Sequence, residues 1–177
     1  MSRTFSILTT LVGVLPLAAI AADVQIFPMK GVDLAAYRTY KLLPTRVLSG
    51  SGVLENDPEV SPFINAALRK ELDQKGLAEV AEGADLEVSA GGLAVSIPQV
   101  EALVFNPAND ATWGTSPIAI IGRYNKEGTL IVNLIDPRAK KSVWLGVAKR
   151  ALGKPSNLKK DVDKAAQALF KKYPALK

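Results

Sequence analysis

Several side chains in this sequence have types and spacings that chemistry can use. Ser156 and Lys159 stand in the Ser-x-x-Lys spacing of penicillin-binding enzymes, whose serine is a nucleophile. Glu55, Asp57 and Glu59 offer paired carboxylates of the kind that cleave glycosidic bonds. Asp136 closes an apolar run and is followed by Pro137 and the lysine pair Lys140 and Lys141. Trp113 and Trp144 are aromatic surfaces on which a ligand can stack.

Each group also has a plainer reading. "SNLK" stands at the start of a helical pattern, where Ser156 or Asn157 is needed as a cap, and the companion Ser-Asp-Asn and Lys-Thr-Gly elements are absent. The three carboxylates lie in a stretch containing Pro58 and Gly52, with no apolar walls to raise a pKa. Asp136 before Pro137 starts a turn without any chemistry. Trp144 and Gly146 fall on one side of a strand, so the indole is expected to cover bare backbone beside the glycine.

The chain contains no histidine and no cysteine. That excludes Ser–His–Asp and Cys–His catalysis and removes the usual ligands of zinc, copper and haem. No glycine-rich phosphate loop occurs. The expectation is a protein without cofactor or metal that is not an enzyme, with a carboxylate or Ser–Lys hydrolase as a third reading.

Charge gives a positive lead. From Arg138 onward twelve Lys and Arg face two acids, Asp161 and Asp163, a net of +10. Residues 23–137 carry nine basic and fifteen acidic residues, a net of −6. Such asymmetry suggests an anionic partner. The tightest basic group is Lys149, Arg150, Lys154, Lys159 and Lys160, expected where the last strand meets the last helix. Against this, Asp161 and Asp163 already answer that helix's dipole, and a run of charge also simply keeps a face soluble.

These residues need elements to position them. Residues 1–22 read as a secretory signal peptide: Arg3, an apolar stretch from Phe5 to about Ile20, and small residues at Ala19, Ala21 and Ala22. Cleavage near Ala21 or Ala22 leaves one domain, 23–177, with no transmembrane segment, in the periplasm or secreted. Without a cysteine it is not expected to be lipid-anchored.

After a short lead-in, Asp33–Pro44 reads as the first strand and 45–60 as a loop. A helix follows, capped by Ser61, with Pro62 in its first turn, Ile64, Ala67, Leu68 and Leu72 on one face, and Gly76 as its stop. Residues 84–90 alternate as a half-exposed strand. Residues 91–105 are β-leaning but broken by Pro98, and 106–117 form a loop with Trp113.

Residues 128–135 and 142–150 form a hairpin about the turn "DPRAKK". The last helix carries Leu158, Val162, Ala165, Leu169 and Tyr173 as one stripe and ends at Pro174. The order implies an α+β two-layer sandwich: a largely antiparallel sheet of about four to six strands with two helices on one face.

Asp33, Tyr37, Thr39, Tyr40, the Gly76-terminated helix, "ADLEV", "YNKEGTLIVNLID", "VWLGVA" and a closing "YP" occur in that order over residues 33–174. The set resembles the bacterial envelope proteins grouped as domain of unknown function 4136, many of them lipoproteins. Here Asn133 stands where such proteins often have aspartate and Leu42 where they often have tryptophan. The resemblance implies an exported α+β envelope protein and no particular reaction.

The expected function is a non-enzymatic binding module. Its target would be a partner protein or an anionic envelope component such as lipid phosphate or peptidoglycan, and not nucleic acid. The alternative is a domain that holds a small apolar ligand or lipid between sheet and helices, with Trp113 and Trp144 as aromatic contacts.

Overall fold

The computed structural model describes residues 23–49, 52–95, 103–105, 118–120, 127–151 and 155–174. Among these residues eight strands form one mixed sheet, and two helices pack on one of its faces. The centre is the hairpin read from the sequence: β9 (Glu127–Asp136) and β10 (Lys141–Ala151) pair antiparallel around the turn at 137–140. Lys140 completes that turn with φ +51°, and a bulge lies between Ser142 and Trp144.

β6 (Leu86–Val95) lies antiparallel against β9. Its other edge takes β2 (Thr39–Leu42) and then β3 (Arg46–Ser49), both parallel. β2 and β3 act as one strand interrupted at 43–45, where Leu43 N still donates to Val88 O. β4 (Gly52–Glu55) folds back antiparallel on β3, and the short β5 (Ala78–Glu79) pairs parallel with β2. β1 (Asp23–Pro28) closes the far edge against β10. β7 (Leu103–Phe105) and β8 (Ile118–Ile120) form a separate two-stranded sheet.

The two-layer α+β class holds, with the chain crossing through α1 (Ser61–Gln74) between β4 and β5. That helical crossover is why the β2–β6 and β3–β6 pairs run parallel, where short turns alone favour antiparallel neighbours. The first strand begins earlier than the sequence suggests, at Asp23. Residues 34–36 are a 3-10 turn capped by Asp33, and not strand; Asp33 Oδ1 accepts from Ala35 N at 3.0 Å. The stretch expected as a loop, 45–60, contains the β3–β4 hairpin.

Pro62 sits in the first turn of α1, and Gly76 follows its end at φ +84°, a left-handed backbone that suits glycine. Ser61 is not its cap. Val60 stands at the cap position without a side-chain cap bond, and Asp57 holds the turn before it: its Oδ1 accepts from Glu59 N and Val60 N, and its carbonyl accepts from Ser61 N. Ser61 lies within the helix, and its Oγ has no partner. α2 (Leu158–Phe170) buries Val162, Ala165, Ala166, Leu169 and Phe170 as the stripe requires, with Asn157 at its start making no side-chain cap.

The main core lies between the helices and one sheet face. Leu86, Val88 and Ala90 of β6, Leu130, Val132 and Leu134 of β9, and Trp144 and Ala148 of β10 meet Ile64, Leu68, Leu72 and the α2 stripe. Packing is tight enough that a Cβ added at Gly92 would sit 2.9 Å from Ile64 Cδ1. The opposite sheet face carries a smaller buried cluster of Ile131, Leu145 and Val147. Among the described residues no helix is long and apolar enough to cross a membrane.

Candidate functional site

Trp144 is 1% exposed and is a core residue, not a surface for a ligand. Its ring stacks on Phe170 with centroids 5.5 Å apart and meets Tyr173 edge-on at 5.9 Å. The expected relation to Gly146 is present: a Cβ there would lie 2.5 Å from Trp144 Cη2 and 2.9 Å from Leu169 Cδ2. Glycine is the residue that lets the indole lie flat on the strand.

Tyr173 is buried beside it and donates its hydroxyl to Leu34 O at 3.3 Å; burial, then Tyr37, pushes its pKa up to about 12. Tyr40 is fully buried and donates to Asp73 Oδ1 at 3.3 Å, and burial followed by Asp73 and Glu79 raises its pKa further. These aromatic residues are buried in the helix–sheet interior, where the apolar-ligand reading places its ligand. Trp113 lies outside the described residues.

The carboxylates are held in structural roles. Asp136 accepts through Oδ1 from Arg138 N at 2.8 Å and Ala139 N at 3.1 Å, the turn geometry expected of it. Its Oδ2 accepts from the Tyr37 hydroxyl at 3.2 Å, a contact spanning 99 residues of sequence. Partial burial and the Asp136 carboxylate together raise the Tyr37 pKa.

Asp85 does more. Its Oδ2 accepts from Arg38 N, Thr39 N and Thr39 Oγ1 at 3.0, 3.2 and 3.1 Å, while Arg138 holds Oδ1 at 2.6 Å. Thr39 Oγ1 also lies 2.9 Å from Asp85 N, as its acceptor. The backbone N–H of Arg38 is the chief reason the Asp85 carboxyl lies below the usual range, with Thr39 and Arg138 adding to it. One polar network thus ties the start of β2, the start of β6 and the β9–β10 turn together. The residues behind the family resemblance, Tyr37, Thr39, Asp85 and Asp136, are its members; spacing alone did not show that they meet.

The other candidates are similarly engaged. Glu55 pairs with Arg46 at 2.9 Å, and Asp57 caps the approach to α1. Lys159 Nζ is bound to Asp163 at 2.9 Å, so the lysine of the Ser-x-x-Lys spacing is paired along its own helix. No group of three or more acidic residues able to hold a metal occurs among the described residues.

Lys149, Lys159 and Lys160 are not gathered into one patch. Lys149 is half-buried and stands in register with Asp23 and Thr129, on the sheet face turned away from the helices. Lys159 and Lys160 are exposed on the first turn of α2, on the helix side. Strand alternation places Lys149 and the α2 lysines on opposite sides of the sheet. Arg150 follows Lys149 in β10, and Lys154 lies outside the described residues.

On the face away from the helices, Ser142 Oγ donates to Asn133 Oδ1 at 2.6 Å, next to the Ile131, Leu145 and Val147 cluster. Asn133 is 1% exposed, and among the described residues its Nδ2 has no hydrogen-bond partner.

A mixed sheet with two helices on one face, an aromatic-rich core and a polar network at one sheet end define a small α+β domain. The chain belongs to the family described as "Domain of unknown function (DUF4136)", whose model matches residues 28–175. A solved DUF4136 family protein from Bacteroides thetaiotaomicron is similar in fold, with a TM-score of 0.59 at 18% identity over 85% of this chain and 95% of that one. A PDZ domain protein from Parabacteroides distasonis is similar at a TM-score of 0.58 and 16% identity, over 89% of this chain and 37% of that one. At these identities the likeness is one of fold. A search of curated proteins found no match.

Proposed function

We propose that this chain is an exported cell-envelope protein that works by binding, without catalysing a reaction. Its targets are a partner protein or an anionic envelope component, lipid phosphate or peptidoglycan. The observation that carries this reading is the aromatic packing of the interior: Trp144, Phe170 and Tyr173 pack ring on ring between sheet and helices and Tyr40 is buried there too, which favours recognition at the surface. The engagement of Asp85, Asp136, Asp57 and Lys159 in local hydrogen bonds supports it too. The leader-like residues 1–22 and the net +10 of residues 138–177 support an encounter with an anionic partner in the envelope.

Crosslinking in intact envelopes followed by mass spectrometry tests the reading, with cell fractionation beside it. Recovery of unprocessed chain from the cytosol, or turnover of a substrate by purified protein, would sink it. For vesicles rich in anionic lipid, reversing Lys149, Arg150 and Lys154 to glutamate is expected to weaken binding by about 100-fold, at about 1 kcal/mol per basic residue near the surface. Added salt should weaken binding of the unmodified chain steeply. Because the sheet separates Lys149 from Lys159 and Lys160, Lys149→Glu alone and Lys159→Glu/Lys160→Glu together report which face is used.

A second reading has one observation in its favour. The unpartnered Asn133 Nδ2 beside Ile131, Leu145 and Val147 suits an apolar ligand bearing a hydrogen-bond acceptor, on the face away from the helices. Native mass spectrometry of freshly purified protein checks it: a retained apolar molecule, lost in Asn133→Leu, is the expected sign.

A further inference from the structure

Large hydrophobic side chains are exposed at four described positions, Phe27, Met29, Val53 and Leu54. All four lie on or directly beside β1 and β4, two edge strands of the main sheet. An edge strand offers unpaired N–H and C=O groups to any chain that can lie alongside.

The β1 edge is defended. Met29 N donates inward to Val143 O, so alternation turns residues 24, 26 and 28 outward. Lys172 Nζ covers the Val24 carbonyl at 3.2 Å, and Pro28 has no N–H to offer. Among the described residues, the β4 edge has neither device. Asn56 N donates to Thr45 O at 2.7 Å, which sets the ladder so that Leu54 bonds toward β3. Val53 and Glu55 then direct their N–H and C=O groups outward. Val53 is 56% exposed and Leu54 41% exposed, although they point to opposite faces of the strand.

We propose that β4 is a self-association surface, pairing antiparallel with β4 of a second copy about a two-fold axis through Leu54. The register follows from the groups on offer. With Leu54 opposite the partner's Leu54, Val53 and Glu55 exchange both backbone bonds with the partner's Glu55 and Val53. All four outward groups on each copy are then used. Centring the pair on Val53 leaves the Glu55 groups without strand partners, and centring it on Glu55 sets two carboxylates directly opposite, which is unfavourable. In the chosen register Glu55 faces a valine and keeps its ion pair with Arg46 of its own chain.

Self-complementarity therefore selects a second copy as occupant, and the guarded β1 edge disfavours head-to-tail addition. A four-residue strand buries less than the roughly 1,200 Å² at the low end of stable interfaces, so the dimer is weak and concentration-dependent. This surface is independent of the basic residues.

The absence of cysteine makes the test clean. Leu54 in this register is a non-hydrogen-bonded pair with Cα atoms about 4.5 Å apart, inside the range of roughly 4.4–6.8 Å that a disulfide spans. Under mild oxidation Leu54→Cys is expected to form a disulfide dimer at least tenfold faster than Phe27→Cys. Sedimentation velocity of the unmodified protein should show a concentration-dependent dimer that Val53→Pro abolishes with an unchanged circular dichroism spectrum. Should proline disturb the hairpin, Val53→Lys gives the same readout. A monomer at every concentration, a dimer surviving both Val53 variants, or equal crosslinking at Phe27 would each overturn the proposal.

Discussion

Trp144→Ala is expected to destabilise the fold by about 3–5 kcal/mol, the cost of truncating a large aromatic in a packed core. Domains of this size are typically stable by only about 5–15 kcal/mol, so the variant should populate unfolded chain at mild denaturant or modest heating. The reason is local: the indole packs on Phe170, Tyr173 and the bare backbone at Gly146, and no described side chain stands ready to fill its volume. Gly146→Ala should cost about 1–3 kcal/mol for the opposite reason, because its Cβ needs space that Trp144 Cη2 and Leu169 Cδ2 already hold. The two effects must be coupled. In the Trp144→Ala background the Leu169 side-chain end, 2.9 Å from that Cβ, can shift into the space the indole leaves, and Gly146→Ala should then cost less. Urea unfolding of the four proteins of this cycle measures the coupling, and strict additivity would refute the packing account.

Asp85→Ala should produce the second large effect, about 1.5–3 kcal/mol, the range for hydrogen bonds to a charged group. The loss strips acceptors from Arg38 N, Thr39 N and Thr39 Oγ1 and frees Arg138. It also has a pH signature. The folded-state pKa of Asp85 is depressed, so its stabilisation is present above its unfolded value of about 3.9 and is lost as pH falls through the lower folded value. The unmodified protein should therefore lose stability more steeply than Asp85→Ala through acid below about pH 4. Parallel curves for the two proteins would show that the carboxylate's charge contributes nothing. Tyr37→Phe removes one bond to Asp136 and should be milder, by about 0.5–1.5 kcal/mol.

Local chemistry explains which parts of the fold were legible. The β9–β10 hairpin could be read because Asp136 and Pro137 specify its turn and apolar residues alternate on both sides. The helices could be read because Pro62 and Gly76 bracket one, and the Leu158–Tyr173 stripe defines the other. The pairing of Trp144 with Gly146 followed from strand periodicity alone. β1 was hidden because its few residues follow directly on the apolar leader-like stretch. β3 and β4 were hidden because each has only four residues and β3 owes its place to β6, more than 40 residues further on. Ser61 looked like a cap because the turn at 57–60, which Asp57 holds and which puts Ser61 inside the helix, is not evident in local propensity.

The candidate site was legible in its residue types but not in their placement. Lys149, Arg150, Lys159 and Lys160 are close in sequence and suggest one patch. Strand alternation and the docking of α2 on a single face put a sheet between Lys149 and the helix lysines.

By itself the amino-acid sequence determined the chemistry that is missing, the α+β order of elements, the family resemblance and the residues that had to be buried. Those depend on composition and on periods of two and 3.6 residues, which are local properties. Only the tertiary structure decided that Tyr37 reaches Asp136, that Asp85 joins the starts of β2 and β6 to the β9–β10 turn, and that among the described residues nothing guards the β4 edge. Such contacts join residues tens of positions apart, and their geometry comes into being only when the sheet closes.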